Sequence, residues 1–248
     1  MKASTQAAVL CGGRGERLRP LTDYFQKVMI PVGPRKLPLL AYIVGLLARH
    51  RIGRVALLTG YRSGDIEHYF GDGSRFGVKL TYSVDGKGPK GSLNAVAGAL
   101  RNGAISDCDE LVIYYGDVLT DLDIGALLAT HRKRKADATL VLSKGYTLPV
   151  GSARVKEGRV IGFEEKPELP LSVTTGCFVA GPAAMGLMRK VAGAKSTDLM
   201  THFLPRLLKE GAKVSAYYTG EAWYDVGTIS SFEKINDELV RHPLSYLA

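Results

Sequence analysis

Two aspartates and a run of glycines are the residues of this sequence best suited to chemistry. Asp117 follows Gly116 at the end of the apolar run Leu111-Val112-Ile113-Tyr114-Tyr115, and Asp225 lies in Trp223-Tyr224-Asp225-Val226-Gly227-Thr228, again near a glycine. Carboxylates in such settings suit a hard divalent cation. Upstream, Gly12-Gly13-Arg14-Gly15-Glu16-Arg17 follows the apolar run from Ala7 to Cys11. Glycines let backbone N–H groups approach phosphate oxygens closely. Arg17 and Lys27 add fixed positive charge. A phosphate-cradling turn together with two cation-binding carboxylates points to chemistry on a nucleoside triphosphate.

Two familiar phosphate loops do not fit the turn. A dinucleotide fingerprint needs a third glycine where Leu18 stands, and a P-loop needs Gly-Lys-Ser/Thr at its end. What remains is Gly12-Gly13-x-Gly15-x-Arg17-Leu18-x-Pro20-Leu21-Thr22, followed by Lys27 and Pro31.

The elements that must position these residues alternate in type. Strands are predicted at Gln6–Cys11, Arg54–Thr59, Lys79–Ser83, Glu110–Tyr115 and Ala138–Ser143, with amphipathic helices near Leu39–His50, Ser63–Tyr69 and Leu93–Arg101. This alternation predicts right-handed βαβ units and a mainly parallel sheet, with ligands beyond the carboxyl ends of its strands. The second half has runs at Ser152–Val155, Arg159–Glu164, Val173–Ala180 and Lys213–Tyr218, expected as antiparallel additions to the same sheet. Helices are expected at Ala183–Val191, Leu199–Glu210 and, closing the chain, Ser230–Val240. No linker, repeat or low-complexity tract divides the 248 residues, so a single domain with two lobes is expected.

Composition narrows the partners. Apolar residues make up 46% and charged residues 23%, ordinary for a globular domain. The richest apolar stretch, Leu37 to Ala48, contains Pro38 and is too short to span a bilayer, and Met1 to Gln6 has no signal-peptide core. The chain reads as cytoplasmic, with no membrane partner. Cys11, Cys108 and Cys177 lack metal-ligand spacing and leave an odd count, so free thiols are expected. The histidines at 50, 68, 131, 202 and 242 are scattered, which argues against a zinc site. A net charge of +9 favours anionic partners. Its densest run, His131-Arg132-Lys133-Arg134-Lys135, ends an apolar helical pattern and reads as a solvated helix terminus. No aromatic residues interleave with it, so no nucleic acid is expected.

The glycine pattern resembles the signature of the sugar-1-phosphate nucleotidyltransferases, also called nucleotide-sugar pyrophosphorylases. Further segments resemble the family's motifs in order: Phe70-Gly71-Asp72-Gly73-Ser74-Arg75-Phe76-Gly77, Gly116-Asp117, Phe163-Glu164-Glu165-Lys166-Pro167, and Trp223 to Thr228. Alone, Glu165-Lys166 would read as an exposed hairpin charge pair, Asp225 as a turn cap and Asp117 as a helix cap. Their common order makes the family reading much more specific.

The resemblance implies a Rossmann-like three-layer α/β sandwich with a mainly parallel mixed sheet and a smaller antiparallel sugar-binding lobe. It implies one nucleotidyltransferase domain over residues 1–248, with a nucleotide-binding lobe over about 1–120 and a sugar-binding lobe with the closing helix over about 121–248. The implied reaction takes a nucleoside triphosphate and a sugar 1-phosphate to an NDP-sugar and pyrophosphate, with Mg²⁺ as cofactor. Catalytic roles fall on Arg17, Lys27, Asp117 and Asp225, the two aspartates holding the metal. Leu10, Gly12, Gly13, Gly15, Arg17, Gly91 and Ser92 are implied for the nucleotide. Gly151, Glu165, Lys166 and Thr175 are implied for the sugar phosphate, with Thr175 in the strand entry Thr174-Thr175-Gly176.

Mannose-1-phosphate with GTP, or glucose-1-phosphate with UTP or dTTP, are the leading substrate sets, and a homo-oligomeric state is left open. A catalytically silent nucleotide-sugar-binding subunit and a transferase for phosphorylated non-sugar acceptors are the alternatives. Departures from the family pattern sharpen these questions. Glu16 stands where threonine is common. Val28 replaces a proline and is expected to loosen the Lys27 loop. Pro34 to Pro38 extends a turn, Ser92-Leu93-Asn94 alters the base loop, and Thr174 replaces a common asparagine. The chain ends soon after its closing helix, so no C-terminal acetyltransferase or β-helix domain is expected within it.

Overall fold

Short apolar runs that are buried on both faces form the centre of a parallel sheet, and the computed structural model describes residues 3–86, 88–193 and 197–241. Thr5–Leu10 (β1) leads through a short helix Leu21–Tyr24 (α1) and a small ribbon, Pro31–Val32 (β2) with Leu37–Pro38 (β3), into Leu39–Arg49 (α2). Arg54–Thr59 (β4), Ser63–Phe70 (α3), Lys79–Val84 (β5), Ser92–Asn102 (α4) and Glu110–Tyr115 (β6) continue the alternation. Then come Val118–Thr120 (β7), Ile124–Arg134 (α5), Ala138–Thr147 (β8), Ser152–Lys156 (β9), Arg159–Glu164 (β10) and Glu168–Ala180 (β11). Pro182–Val191 (α6), Leu204–Lys209 (α7), Val214–Tyr218 (β12), Trp223–Asp225 (β13) and Ile229–Arg241 (α8) complete the order.

The seven-stranded sheet runs β12-β8-β11-β6-β1-β4-β5. Neighbouring pairs are parallel except those made by β11, which runs antiparallel to both β6 and β8. Alternation along each strand sends residues to opposite faces. Val9, Leu57, Val112 and Tyr114 pack under α2 and α8, against Leu40, Ile43, Ile235 and Leu239. Ala8, Leu58, Leu111 and Ile113 pack on the other face with Leu93, Val96, Met188 and Phe203. Helices therefore cover both faces, giving the expected α/β sandwich with its mainly parallel mixed sheet.

Three expectations need correction. The run from Lys213 enters as β12 parallel to β8, because α6 and α7 carry the chain back to the end where β8 begins. The β9 and β10 strands pair only with each other, outside the main sheet. The helix expected from Leu199 opens as a π-turn over Leu199–Phe203 before α7. Pro205 has no amide hydrogen to donate to an α-helical partner, and the His202 and Phe203 amides share the Asp198 carbonyl.

The basic run ending α5 is also more structured than a solvated terminus. His131 is buried with Nδ1 2.9 Å from the Thr139 hydroxyl, and Arg132 donates twice to buried Glu110, at 2.6 Å each. Among the described residues no helix is long and apolar enough to cross a membrane. His242 and the first two residues lie outside the described residues.

Candidate active site

Beyond the carboxyl ends of β1, β4, β5 and β6 lies a cavity of about 640 Å³. Leu10, Gly12, Gly13, Lys27, Gly91, Ser92 and Asp117 all line it. The glycine loop leaves β1 with the Cys11 amide bonded to the Leu58 carbonyl at 2.8 Å. Gly116 comes close from the β6 side, donating its amide to the Leu10 carbonyl at 3.0 Å. A Cβ at Gly116 would sit 2.6 Å from that oxygen, so only glycine allows this approach and the placement of Asp117 next to the loop.

Lys27 occupies a single 3-10 turn, Lys27–Met29. Fully buried Gln26 fixes it. Its Oε1 accepts from the Val28 amide at 2.7 Å, while its Nε2 donates to the Cys11 carbonyl at 2.5 Å. Val28 thus supplies an N–H that proline could not. The expected loosening at this position is replaced by a side-chain cap that ties the lysine turn to the glycine loop. From this turn the Lys27 ammonium reaches Asp117, with Nζ 2.5 Å from Oδ2.

Asp225 arrives by strand pairing. In the β7–β13 ribbon it stands opposite Val118, and the Val226 amide donates to the Asp117 carbonyl at 2.8 Å. Much of the residue faces solvent, yet burial first, and then the neighbouring Asp117, push its carboxyl above the usual range. Lys27 and Arg17 pull it back. Gly227 leaves room for this grouping: a Cβ there would lie 3.0 Å from Asp225 Oδ1 and 3.4 Å from Arg17 Nη2.

The like charges of Asp117 and Asp225 are the donor set that a cation relieves. Mg²⁺ fits them, because it takes one or two carboxylates and keeps its other positions for phosphate oxygens and water. Among the described residues no third His, Cys, Asp or Glu joins the pair to close a cage around a metal.

The other sequence candidates are placed differently. Gly15 shapes the turn in the left-handed region, packed against Thr22 and Lys27, rather than lining the cavity. Ser92 has a committed hydroxyl: it donates to Asp198 Oδ2 at 2.5 Å and accepts from the Leu199 amide at 2.9 Å. Gly91 abuts the Thr197 backbone, with which any Cβ would collide.

Gly151 and Glu165 lie together, since a Cβ at Gly151 would meet the Phe163 ring and lie 2.9 Å from Glu165 Oε2. Lys166 is exposed, in a left-handed turn between β10 and β11. Thr175 is buried, its hydroxyl bonded to the Val141 carbonyl at 3.3 Å, so its side chain serves the sheet rather than a ligand. The bulge at Thr174–Phe178 does bring Gly176 against Tyr115 and Val118, on the flank of Asp117.

Gln26 and Asp198 escaped the sequence reading. Asp198 precedes an apolar run, an N-cap signal, and its Oδ1 does accept from the Met200 and Thr201 amides. Nothing in the order of residues marked Gln26 as buried. The thiols offer no activated nucleophile: burial raises Cys11, Cys108 and Cys177, the last to about 12.

Comparison with known proteins gives a consistent picture. Residues 6–242 match the nucleotidyl transferase family. The chain is 34% identical over 247 residues to mannose-1-phosphate guanylyltransferase of Mycobacterium tuberculosis, covering 95% of this chain and 64% of that protein. It is 28% identical over 243 residues to a UTP–glucose-1-phosphate uridylyltransferase of Synechocystis, covering 92% and 61%. The chain thus spans less than two thirds of the length of these relatives. A crystal structure of a Bacillus anthracis protein, assigned as a glucose-1-phosphate thymidylyltransferase and holding sucrose, matches with a TM-score of 0.76 at 26% identity over 96% of each chain.

Proposed function

Because the chain belongs to the nucleotidyl transferase family, we propose that it moves a nucleoside monophosphate from a nucleoside triphosphate to a sugar 1-phosphate. An oxygen of the sugar phosphate attacks the α-phosphorus, the bond to the β-phosphate oxygen breaks, and pyrophosphate leaves with the electron pair. The carrying observation is the meeting of Lys27, Asp117, Asp225 and Arg17 at the edge of the glycine-lined cavity.

The nucleophile has a second pKa near 6 and is already an anion at neutral pH. No protein base is required, in agreement with the inert thiols. The obstacle is electrostatic, because two polyanions must be brought together in line. Lys27 and Arg17 hold the triphosphate and stabilise the departing pyrophosphate. Gln26 fixes the lysine turn to the loop whose amides face the phosphates. Asp117 orients the Lys27 ammonium. Lys166 grips the sugar phosphate, and Glu165, next to Gly151, accepts from sugar hydroxyls. Mg²⁺, when bound by Asp117 and Asp225, would neutralise phosphate charge and orient the α-phosphate.

The test is pyrophosphate release across nucleoside triphosphates and sugar 1-phosphates, with phosphocholine added as a non-sugar acceptor. Release with a sugar phosphate is expected. Release with phosphocholine alone would reassign the acceptor. NDP-sugar binding by folded protein without release from any pair would make the chain a silent binding subunit.

A further inference from the structure

Of the two acids that line the cavity, Asp117 and Asp85, the transfer chemistry uses only the first. Asp85 directly follows β5 and lines the same cavity as the glycine loop and Lys27. Its backbone is fixed by a bond from its amide to the Thr59 carbonyl at 2.8 Å. Two glycines make way for its side chain: a Cβ at either Gly12 or Gly60 would lie 3.2 Å from Asp85 Oδ2. The carboxylate accepts no hydrogen bond among the described residues. Burial pushes its carboxyl above the ordinary range, and only the charge of Lys90 works against that. A half-buried acceptor without donors is an unmet demand.

Its distance from the phosphate end says which part of a nucleotide would meet it. Asp117 follows β6 and Asp85 follows β5, and the sheet order between them is β6-β1-β4-β5. Three strand spacings of about 4.8 Å separate the two ends by roughly 14 Å. With phosphates at Lys27 and Asp117, that separation carries the far end of the molecule, its base, toward Asp85. A carboxylate is also unsuited to the phosphate end, where it would repel the ligand.

Resting on the nucleotidyl-transfer reading, we propose that Asp85 reads the base and selects guanine. An ionised carboxylate offers two acceptors and no donor. Guanine presents two adjacent donors, N1–H and the 2-amino group, which match both oxygens. Uracil and thymine offer one N–H between two carbonyls, so an oxygen of Asp85 would face another acceptor. Adenine and cytosine each place an acceptor ring nitrogen next to their amino group, with the same conflict.

The experiment measures rates with GTP, ITP, ATP, CTP, UTP and dTTP against the sugar 1-phosphate panel. Calorimetry with the same nucleotides covers the wild-type chain and Asp85→Asn. GTP should lead the other four standard nucleotides by roughly tenfold or more in kcat/KM and in Kd, the scale of a bidentate base contact. ITP, which lacks the 2-amino group, should fall between. Asp85→Asn should weaken GTP most and collapse the preference. Equal use or binding of UTP, dTTP, ATP or CTP by the wild-type chain would overturn the proposal, as would a GTP preference that survives in Asp85→Asn. The wild-type GTP-to-ITP comparison needs no variant, so misfolding of Asp85→Asn cannot mask the answer. GTP-selective binding without any turnover would sink the transfer reading and leave base selection standing. Turnover without base preference would do the reverse.

Discussion

Lys27 Nζ and Asp117 Oδ2 lie 2.5 Å apart although 90 positions separate them in the chain. The pair is sheltered, with the lysine side chain 12% and the aspartate side chain 28% exposed, so it is worth more than a surface ion pair. Lys27→Met and Asp117→Asn should each lower kcat by about a hundredfold or more, the scale of losing one preorganised charge on a phosphoryl group. Far-UV circular dichroism should remain native in both. Unchanged turnover in both folded variants would remove the pair from the chemistry.

Asp225→Asn should separate stability from activity. Its carboxyl is pushed up by burial and by Asp117, so the ionised form strains the fold at neutral pH. Neutralising it should raise the melting temperature slightly, since solvent screens a carboxylate that is largely exposed, while turnover is lost. Added Mg²⁺ should stabilise the wild-type chain more than the variant, because binding to the native state alone raises stability. Equal Mg²⁺ shifts in the two proteins would argue against the aspartate pair as the metal site.

Gln26→Leu should damage both the fold and the site. It keeps the volume but leaves the Cys11 carbonyl and the Val28 amide without their buried partner. The expected loss is about 1–3 kcal/mol in denaturant unfolding, together with a lower kcat as the Lys27 turn loosens. A stability loss with native kcat would show that Gln26 only supports the core.

His131 predicts a pH dependence remote from the site. Burial pushes its imidazole below the usual value, outweighing the pull of Glu110. The unfolded chain therefore takes up a proton before the native one as the pH falls. Stability should be intact above the ordinary histidine value of about 6.5 and decline below it, until the native pKa is passed. In thermal melts between pH 7 and pH 5, His131→Gln should show a smaller decline than the wild-type chain. Identical slopes would assign the pH dependence to other groups.

Much of the frame was legible because its signals are local. Arg54–Thr59, Glu110–Tyr115 and Arg159–Glu164 form strands over the residues expected from their apolar and β-branched runs. Where the expectation failed, the cause was remote. The direction of β12 depends on the helices before it, and Thr175 was assigned to a ligand when the Val141 carbonyl of a neighbouring strand claims its hydroxyl. Val28 read as a looser loop because its partner, Gln26, carries no sequence signature.

By itself the sequence determined the chemistry available: the glycine turn, the cations at 17 and 27, and the aspartates at 117 and 225. These are properties of residue type and near neighbours, which backbone sterics and periodicity express directly. Tertiary structure alone decided which groups meet. The β7–β13 pairing sets Asp225 beside Asp117, the Gln26 clamp aims Lys27, Asp198 takes the Ser92 hydroxyl, and the end of β5 delivers Asp85 to the cavity. Each contact joins segments far apart in the chain. Its partner is fixed by strand order and crossover direction, which local sequence does not encode.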